Sequence, residues 1–381
     1  MNVCPKNAIK MTADCEGFLY PQIDKSLCID CSLCSKVCPV INVKEDTPFQ
    51  QKAYLVQNKD EKVRSESTSG GAFTAIADYV ISKNGTVFGA GYDENFRVYH
   101  NGVKNKDQLF RFRNSKYVQS DTETTFSEVK SLLEKGEYVC YSGTPCQIEG
   151  LLAFLRKDYP RLITVDVVCR AVPSALVWEK YLEMQKEKYG SDISNILFRD
   201  KRYGYKYSAL TLKNNENKRI YSYGIDTDPM LRAFFSNICD RPSCYECKFK
   251  ERYRVSDLTL WDCFAVSKFD KKLDDDKGTT RMLIHTEKGR QVFEDIKEAF
   301  TYAAVDADEV VKDVNEMLHC VTMNPKREQF FYDIDLPGNK LFNKYFPITF
   351  RTRFERTARL VCNKFGIYNL AKNVAKKILK K

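Results

Sequence analysis

The sequence predicts an α/β body with a mainly parallel sheet plus an antiparallel section, a small α+β domain at the N-terminus and a basic helical tail at the C-terminus. Three observations predict this organisation. Cysteines cluster near the N-terminus, strands alternate with helices through the middle of the chain, and basic residues concentrate at its end. The expected segments are residues 1–45, 50–189, 190–335 and 340–381.

Length and composition limit the class of protein. The 381 residues are enough for two or three domains with a sizeable core. There is no apolar run of about 18 residues and no basic and apolar leader, so we expect a cytoplasmic protein without a membrane-spanning helix. In that compartment fifteen cysteines indicate metal binding or redox work, and three histidines are too few for a multi-histidine metal site.

The N-terminal cysteines follow the spacing C-x2-C-x2-C-x3-C-P, from Cys28 through Cys31 and Cys34 to Cys38. This spacing is typical of two-cluster ferredoxins, in which the fourth cysteine of each run binds the other [4Fe–4S] cluster. By that rule Cys28, Cys31 and Cys34 share one cluster with Cys4, which precedes a proline like the end of another run. Cys38 then belongs to a second cluster whose remaining ligands would lie upstream, so we expect the natural chain to begin earlier.

Two other interpretations of these N-terminal cysteines remain open. The domain holds one cluster and Cys38 is a buried free thiol, or the cysteines form a zinc site, although the third close cysteine and the Cys-Pro pair are unusual for zinc. Short strands at Asn7–Met11 and Phe18–Pro21 flank a turn at Gly17, and we expect Cys15 in this turn not to be a ligand. The apolar residues expected to shield the cluster from water are Ile9, Ile23, Leu27 and Val40.

After a polar linker at residues 44–51, helices alternate with strands, which predicts parallel pairing with right-handed crossovers. From Ile193 to Tyr223 the pattern becomes antiparallel, with strands at Tyr207–Leu212 and Arg219–Tyr223. The alternating elements are a helix containing Phe73 to Ile81 that ends at Asn84-Gly85, a strand at Thr86–Gly89, a helix through Phe126 to Leu133, a strand at Tyr138–Tyr141, a helix near Ile148 to Arg156, a strand at Leu162–Val168 and a helix at Ser174–Lys188.

Two loops at the carboxyl ends of predicted body strands carry cysteines, Cys146 and Cys169. Ligands of open α/β sheets lie at this edge, and neighbouring parallel strands would bring the two thiols together. Each cysteine also precedes a helix, whose positive end stabilises a thiolate. Inert packing and a shared ligand or redox site remain equally open. Further along, Cys244 and Cys247 are either half of a zinc site or complete a four-thiolate site with the first pair.

A Ser69-Gly70-Gly71 loop precedes the first body helix. Backbone N–H groups at such a position can bind a phosphate, although a plain turn is the commoner meaning of this pattern. The chain contains neither G-x-G-x-x-G nor G-x-x-x-x-G-K-[ST]. A standard dinucleotide fold and a P-loop are therefore not indicated.

Five body segments carry a family pattern: Ser67–Phe73, Asn114–Ser120, Ser142–Gln147, Val165–Cys169 and Arg241–Cys247. In order and rough spacing they resemble the beta subunit of coenzyme F420-reducing hydrogenase and related dehydrogenases, in the bacterial form with a fused N-terminal ferredoxin domain. The resemblance covers the chain from Cys4 to about Ala303. Two departures are Arg170, where relatives commonly have His, and Trp261–Phe264, where a Gly-Asp-Phe-Trp pattern is usual.

The resemblance implies an iron–sulfur flavoprotein oxidoreductase that passes electrons between [4Fe–4S] clusters and FAD, with an unknown small-molecule acceptor. It implies a body cluster held by Cys146, Cys169, Cys244 and Cys247, with Cys239 as a substitute ligand. The implied partner is a ferredoxin-like donor or another redox protein, and such relatives often accompany polysaccharide-building enzymes. A non-catalytic electron-relay subunit and a structural zinc protein are the alternatives. The residues implied for the flavin site are Ser69, Gly70, Gly71, Lys116 and Tyr117.

The C-terminal tail is basic, whereas the rest of the chain is nearly neutral. Residues from Phe350 to Lys381 include ten Lys or Arg and one acidic residue. Charge confined to one tail does not indicate a nucleic-acid-binding body. Apolar residues at helical spacing among lysines predict an amphipathic helix that either lies on an anionic membrane surface or packs on the body. These apolar residues are Ile367, Leu370, Val374 and Ile378.

Overall fold

The computed structural model describes residues 1–43, 46–190, 192–365 and 367. The chain divides into two compact units, each made of two segments of sequence. The first unit comprises Met1–Leu176 and Asp240–Thr322, and the second comprises Val177–Cys239 and Met323–Lys381. The boundaries of the four segments expected from the sequence stay predictions.

Strands and helices are numbered here in chain order. The strands are β1 (Ile9–Ala13), β2 (Leu19–Ile23), β3 (Lys52–Asn58), β4 (Thr86–Tyr92), β5 (Val98–Val103), β6 (Val139–Gly143), β7 (Leu162–Val167), β8 (Ile193–Asp200), β9 (Ala209–Asn214), β10 (Arg219–Gly224), β11 (Leu258–Asp262), β12 (Thr280–Ile284) and β13 (Phe300–Val305). The helices are α1 (Leu33–Lys36), α2 (Glu61–Glu66), α3 (Ala72–Ser82), α4 (Thr125–Glu134), α5 (Pro145–Leu155), α6 (Ala175–Tyr189), α7 (Pro229–Phe235), α8 (Glu287–Ile296), α9 (Ala307–Val311), α10 (Asn315–Leu318), α11 (Arg327–Tyr332), α12 (Gly338–Tyr345) and α13 (Phe350–Lys364).

The first unit begins with an antiparallel hairpin of β1 and β2, in which Ile9 pairs with Ile23 and Ala13 with Leu19. Gly17 turns the hairpin with a φ of 82°, a left-handed conformation that glycine adopts without strain. The short helix α1 follows inside the cysteine run. The small α+β domain expected at the N-terminus is therefore confirmed.

The main sheet of the first unit has eight strands in the order β13-β3-β12-β11-β7-β6-β4-β5. Its inner strands β11, β7, β6 and β4 pair in parallel, and every further pairing is antiparallel. Ile76 and Val80 of α3 pack on one face, while Val129 of α4 and Ile148 of α5 pack on the other. The α/β body with a parallel sheet is confirmed, and because helices cover both faces, most residues of its inner strands are buried.

The predicted body elements lie within a few residues of the observed ones. The helix expected after the Ser-Gly-Gly loop is α3, and it ends as expected near Asn84, whose φ of 57° terminates the helix. The sequence pattern did not indicate β3, β5, β11, β12 and β13. The strand β5 forms a local hairpin with β4, whereas the other four pair with segments far along the chain, such as Val56 with Thr280, which local periodicity does not record.

The second unit contains the antiparallel section, a three-stranded sheet in the order β10-β9-β8. This confirms the antiparallel prediction. Trp178 stacks on Tyr181 in the core, with ring centroids 5.4 Å apart. The buried Asp228 carboxylate begins α7 by accepting the Leu231 N–H at 2.7 Å, and it accepts the hydroxyls of Tyr181 and Tyr221 at 2.8 Å each.

The described part of the basic tail is α13, in which the Arg356 guanidinium lies 4.0 Å from the centre of the Tyr223 ring. Ile367 is described and is half-exposed. The other apolar positions of the predicted amphipathic helix, Leu370, Val374 and Ile378, lie outside the described residues. Among the helices that the structure describes, none is long and apolar enough to cross a bilayer.

Candidate metal centres

Four of the N-terminal cysteines line one cavity. Cys4, Cys28, Cys31 and Cys34 surround it, together with apolar side chains that include Ile9 and Ile23. Cys38 is not among the described residues that line this cavity, and it is half-buried. The donor set is four thiols in an otherwise mainly apolar wall, which fits a [4Fe–4S] cluster.

The backbone of the cysteine loop explains how three thiols reach one cavity within seven residues. Asp30 and Ser32 both have left-handed conformations, with φ of 48° and 58°. These reversals separate successive cysteines, so the chain wraps around the cavity instead of continuing as a regular helix. The Cys28 N–H donates to the Asp24 carbonyl oxygen at 3.0 Å, which holds the start of the loop against the end of β2.

Cys4 comes from the far side of the hairpin and completes the set. The Ala8 N–H donates to the Cys4 Sγ at 3.3 Å. Backbone N–H groups of Lys6 and Ala8 lower the pKa of the Cys4 thiol, because they stabilise the thiolate. A thiolate is the form that binds iron, so this backbone favours the ligand state.

The N-terminal domain also contains Cys15 and the four apolar residues expected to shield a cluster, and only some of these apolar residues line the cavity. Cys15 lies exposed at the hairpin turn, away from the cavity lining. Of the residues expected to shield a cluster, Ile9 is buried, and Ile23 lines the cavity although it is 51% exposed. Leu27 and Val40 are 51% and 57% exposed, so the expectation of shielding is wrong for these two, which lie on the outer surface of the described domain.

A second group of thiols lies at the carboxyl ends of the inner strands. Cys146 stands at the start of α5, and Cys169 follows the end of β7. The parent strands β6 and β7 are parallel neighbours, with Gly143 opposite Asp166. Desolvation raises the pKa of the Cys169 thiol, and the charges of Cys146, Cys244 and Cys247 raise it further. The Cys169 thiol thus lies within electrostatic range of the other three, and their role as shared ligands stays a prediction.

Burial and mutual charge both act on these four thiols. Desolvation raises the pKa of Cys244 to about 12, with added repulsion from Cys146 and Cys247. Thiolates in such positions repel one another, and a bound cationic centre would stabilise them. In the part of the chain that the structure describes, no three His, Cys, Asp or Glu side chains are grouped tightly enough for one metal ion. Cys239, the expected substitute ligand, is buried in the second unit.

Lys250 is a feature of this site that the sequence did not reveal. Its ammonium donates to the carbonyl oxygens of Cys169, of Arg170 at 2.9 Å and of Glu316 at 2.8 Å. It therefore joins the Cys169 loop to α10 and places a positive charge beside the thiols. Cys320 was also missed, and its Sγ donates to the Cys247 carbonyl oxygen at 3.5 Å. Neither contact follows from spacing, since each spans more than 60 residues.

The two body loops predicted for the flavin site lie side by side. The Ser115 N–H donates to the Thr68 Oγ1 at 2.7 Å, which joins the Ser67–Phe73 segment to the Asn114–Ser120 segment. Ser69 Oγ lies 2.8 Å from Thr280 Oγ1. A Cβ at Gly70 would lie 2.3 Å from the Val56 carbonyl oxygen. Close packing on β3 and β12 therefore requires glycine at this position, whether or not a ligand binds.

Lys116, the other main flavin candidate, is bonded to its own loop. Its Nζ donates to the carbonyl oxygens of Arg111 at 2.7 Å, Arg113 at 3.1 Å and Asn114 at 3.2 Å. Burial lowers the pKa of Lys116 to about 7. These contacts give Lys116 a structural role in the loop. Tyr117, which follows it, is half-buried.

The two segments that depart from the family pattern, Arg170 and Trp261–Phe264, both make defined contacts in the structure. Arg170 pairs with Glu316 at 3.3 Å, so it ties the Cys169 loop to α10. Trp261 lies near the end of β11 and pairs across the sheet with Arg281 of β12. Cys263, in the same segment, is fully buried in a core cluster with Leu55 and Leu283.

Four cysteines around one cavity of the small hairpin domain are the donor set of an iron–sulfur protein of the electron-transfer class. Residues 21–40 match the 4Fe-4S binding domain. Residues 136–310 match the family described as the C terminus of the beta subunit of coenzyme F420 hydrogenase/dehydrogenase. The resemblance inferred from the sequence is thereby confirmed.

One similar solved structure is the xenon-derivatised F420-reducing [NiFe] hydrogenase complex from Methanosarcina barkeri. A chain of that complex is 12% identical, with 79% of this chain and 92% of that chain covered and a TM-score of 0.47. No curated protein matches the chain.

Proposed function

We propose that this protein is an iron–sulfur flavoprotein oxidoreductase that passes electrons between two [4Fe–4S] clusters and a flavin, with an unidentified small-molecule acceptor. The observation that carries the proposal is the arrangement of Cys4, Cys28, Cys31 and Cys34 around one cavity. When bound, the clusters supply one-electron transfer and the flavin converts single electrons into a hydride.

The residues of the N-terminal site have separate roles in this proposal. The four cysteines bind iron as thiolates, and the Ala8 N–H, 3.3 Å from the Cys4 Sγ, stabilises the negative charge on that sulfur. Ile9 and Ile23 narrow the access of water to the cavity. Hydrogen bonds to sulfur and restricted solvent both influence the reduction potential of a cluster.

In the body, Cys146, Cys169, Cys244 and Cys247 are the proposed ligands of a second cluster. The Lys250 ammonium donates to the Cys169 carbonyl oxygen and so holds the Cys169 loop. It also supplies a fixed positive charge. The flavin is proposed to lie at the N-terminus of α3, where the joined Thr68 and Ser115 bring both candidate loops together. There Ser69, Gly70, Gly71, Lys116 and Tyr117 are the proposed contacts.

A second candidate function is a non-catalytic relay that passes electrons to a partner protein. Lys116 favours this candidate, because its three donors are already used by carbonyl oxygens of its own loop. Gly70 favours it as well, because its packing on β3 explains the glycine without a flavin. A ferredoxin-like protein is the proposed electron donor in either case.

Anaerobic purification, followed by reconstitution with iron, sulfide and FAD, separates these functions. About eight irons, about eight acid-labile sulfides and one flavin per chain support the oxidoreductase. The same iron without flavin supports the relay, and zinc without sulfide supports a structural zinc protein. The Cys15→Ala variant is the matched control, since this exposed cysteine should not change the metal content. A colourless protein without iron or sulfide contradicts both redox functions.

The basic tail is proposed to hold the protein on anionic membranes, which would suit work in polysaccharide biosynthesis at the inner face of the membrane. Removal of residues 350–381 should abolish sedimentation with vesicles that contain anionic lipid. Vesicles of zwitterionic lipid are the control, and equal sedimentation of the full and shortened chains contradicts the proposal.

A further inference from the structure

Arg241 connects the N-terminal hairpin to the loops that carry the body thiols. Its guanidinium donates to the Leu19 carbonyl oxygen of β2 and to the Gln119 Oε1, both at 3.0 Å. The same guanidinium lies 4.2 Å from the centre of the Tyr20 ring, which is a cation–π contact. One side chain therefore makes three directed contacts that join the hairpin to the body within the first unit.

The backbone of Arg241 belongs to the body thiol site. Its N–H donates to the Val172 carbonyl oxygen at 3.0 Å, three residues beyond Cys169. Its carbonyl oxygen accepts the Cys244 N–H at 2.8 Å. Desolvation raises the pKa of the Cys146 thiol, and the positive charge of Arg241 is among the groups that oppose this rise. Arg241 thus contacts the loops of Cys169 and Cys244, and its positive charge acts to lower the pKa of the Cys146 thiol.

The hairpin runs from the N-terminal cavity to Arg241. Its Ile9–Ile23 end lines the N-terminal cavity, and its Ala13–Leu19 end is held by Arg241. Four residue steps at the rise of a β-strand make this span about 13 Å. Paired strands are stiff, so fixing one end of the hairpin fixes the position of the other.

We propose that Arg241 is a positioning residue that holds the β1–β2 hairpin against the body and so sets the separation between the N-terminal thiol site and the body thiol site. This inference deepens the proposed function and rests on it, since the separation matters for a one-electron step. In that step the N-terminal site is oxidised by one electron and the body site is reduced by one. No proton or atom changes place.

Arginine is required here by geometry as well as by charge. Its planar guanidinium donates in two directions at once while its face stacks on Tyr20. Lysine keeps the positive charge but cannot reproduce both bonds and the stacked contact. Arg241→Lys therefore separates positioning from charge, and Arg241→Gln removes both.

The first test is hydrogen–deuterium exchange of the full-length protein, read in the peptide that contains residues 16–22. Loss of charged hydrogen bonds should speed exchange there about tenfold or more in Arg241→Lys. The control is Arg161→Lys, since Arg161 also stacks on a tyrosine of the first unit, 5.4 Å from the Tyr138 ring centre, but contacts neither thiol site. Unchanged exchange in both Arg241 variants overturns the proposal.

The second test is electron paramagnetic resonance of the fully reduced, reconstituted protein. Two reduced clusters broaden one another's signals at short separation, so the Arg241 variants should lose this coupling while they retain the iron of both sites. Unchanged coupling with full iron content also overturns the proposal. If Arg241→Gln does not fold, Arg241→Lys decides. If the parent protein binds only one cluster, the proposed function fails, and the exchange experiment still judges the anchoring separately.

Discussion

The buried ion pair of Asp166 and Arg254 supports the loop that leads to Cys169. Arg254 Nη1 lies 3.1 Å from Asp166 Oδ1 and donates to the Val167 carbonyl oxygen at 3.0 Å. The two side chains are only 4% and 2% exposed. Desolvation raises the pKa of Asp166, and the Arg254 charge opposes this rise. Arg254 therefore favours the ionised carboxylate in the interior, together with hydrogen bonds from Thr259 and Ser256.

Arg254→Met should lower the free energy of unfolding by about 3–5 kcal/mol, because it leaves a carboxylate buried without its partner. The double variant Asp166→Leu with Arg254→Met should recover most of this loss, since apolar residues often replace a buried pair at little cost. The single variant should also weaken the body iron site, because Val167 lies two residues before Cys169.

Urea unfolding of the iron-free protein measures this effect. In a Trp178→Phe background Trp261 is the one remaining tryptophan, so its fluorescence reports on the first unit. The matched control removes half of an exposed pair: Lys268 and Asp313 are 46% and 73% exposed, and Lys268→Met should cost less than about 1 kcal/mol. A loss within about 1 kcal/mol for Arg254→Met, or no recovery in the double variant, would refute the reasoning.

Three further predictions concern single side chains. Cys4→Ala should remove about four irons per chain while Cys38→Ala removes none, and equal losses in iron analysis would contradict the assigned ligand set. Lys250→Met should make the reduction potential of the proposed body cluster more negative, because a positive charge beside the thiolates is lost. The measurement is a redox titration monitored by EPR, with the N-terminal cluster as the internal reference. An unchanged reduction potential of the body cluster counts against the role of Lys250. Burial raises the pKa of Asp228 to about 6, so the stability that protonation gives is present below pH 3.8 and lost as the pH rises through about 6. Asp228→Asn should remove about 3 kcal/mol from the change in the free energy of unfolding over this pH range. Unfolding is followed by the fluorescence of Trp178. If the free energy of unfolding of the variant changes with pH as it does in the parent protein, this carboxyl is not the source of the dependence.

The sequence predicted those parts of the fold and sites that depend on local spacing. Intervals of three residues place Cys28, Cys31 and Cys34 around one cavity, and a βα alternation places Cys146 and Cys169 at one edge of the sheet. Both predictions need only rules about neighbouring elements.

The contacts that organise the body site could not be predicted in this way. Lys250 and Arg254 bond mainly to backbone carbonyl oxygens, and any residue supplies such an acceptor. The pairing of β3 with β12 depends on a register between residues more than 200 positions apart. Lys116 is predicted as a flavin contact from the resemblance, and the sequence does not reveal that its amine donates to carbonyl oxygens of its own loop.

The two groups of thiols differ in how much of the chain must exist before each is complete. The N-terminal set spans residues 4–34 and can receive iron while the ribosome is still making the body. The body set spans residues 146–247 and requires β6, β7 and the later Cys244 loop to have met. For the two proposed centres, synthesis would therefore impose an order of maturation, and we predict that ribosome-bound chains that end near residue 200 acquire only the first.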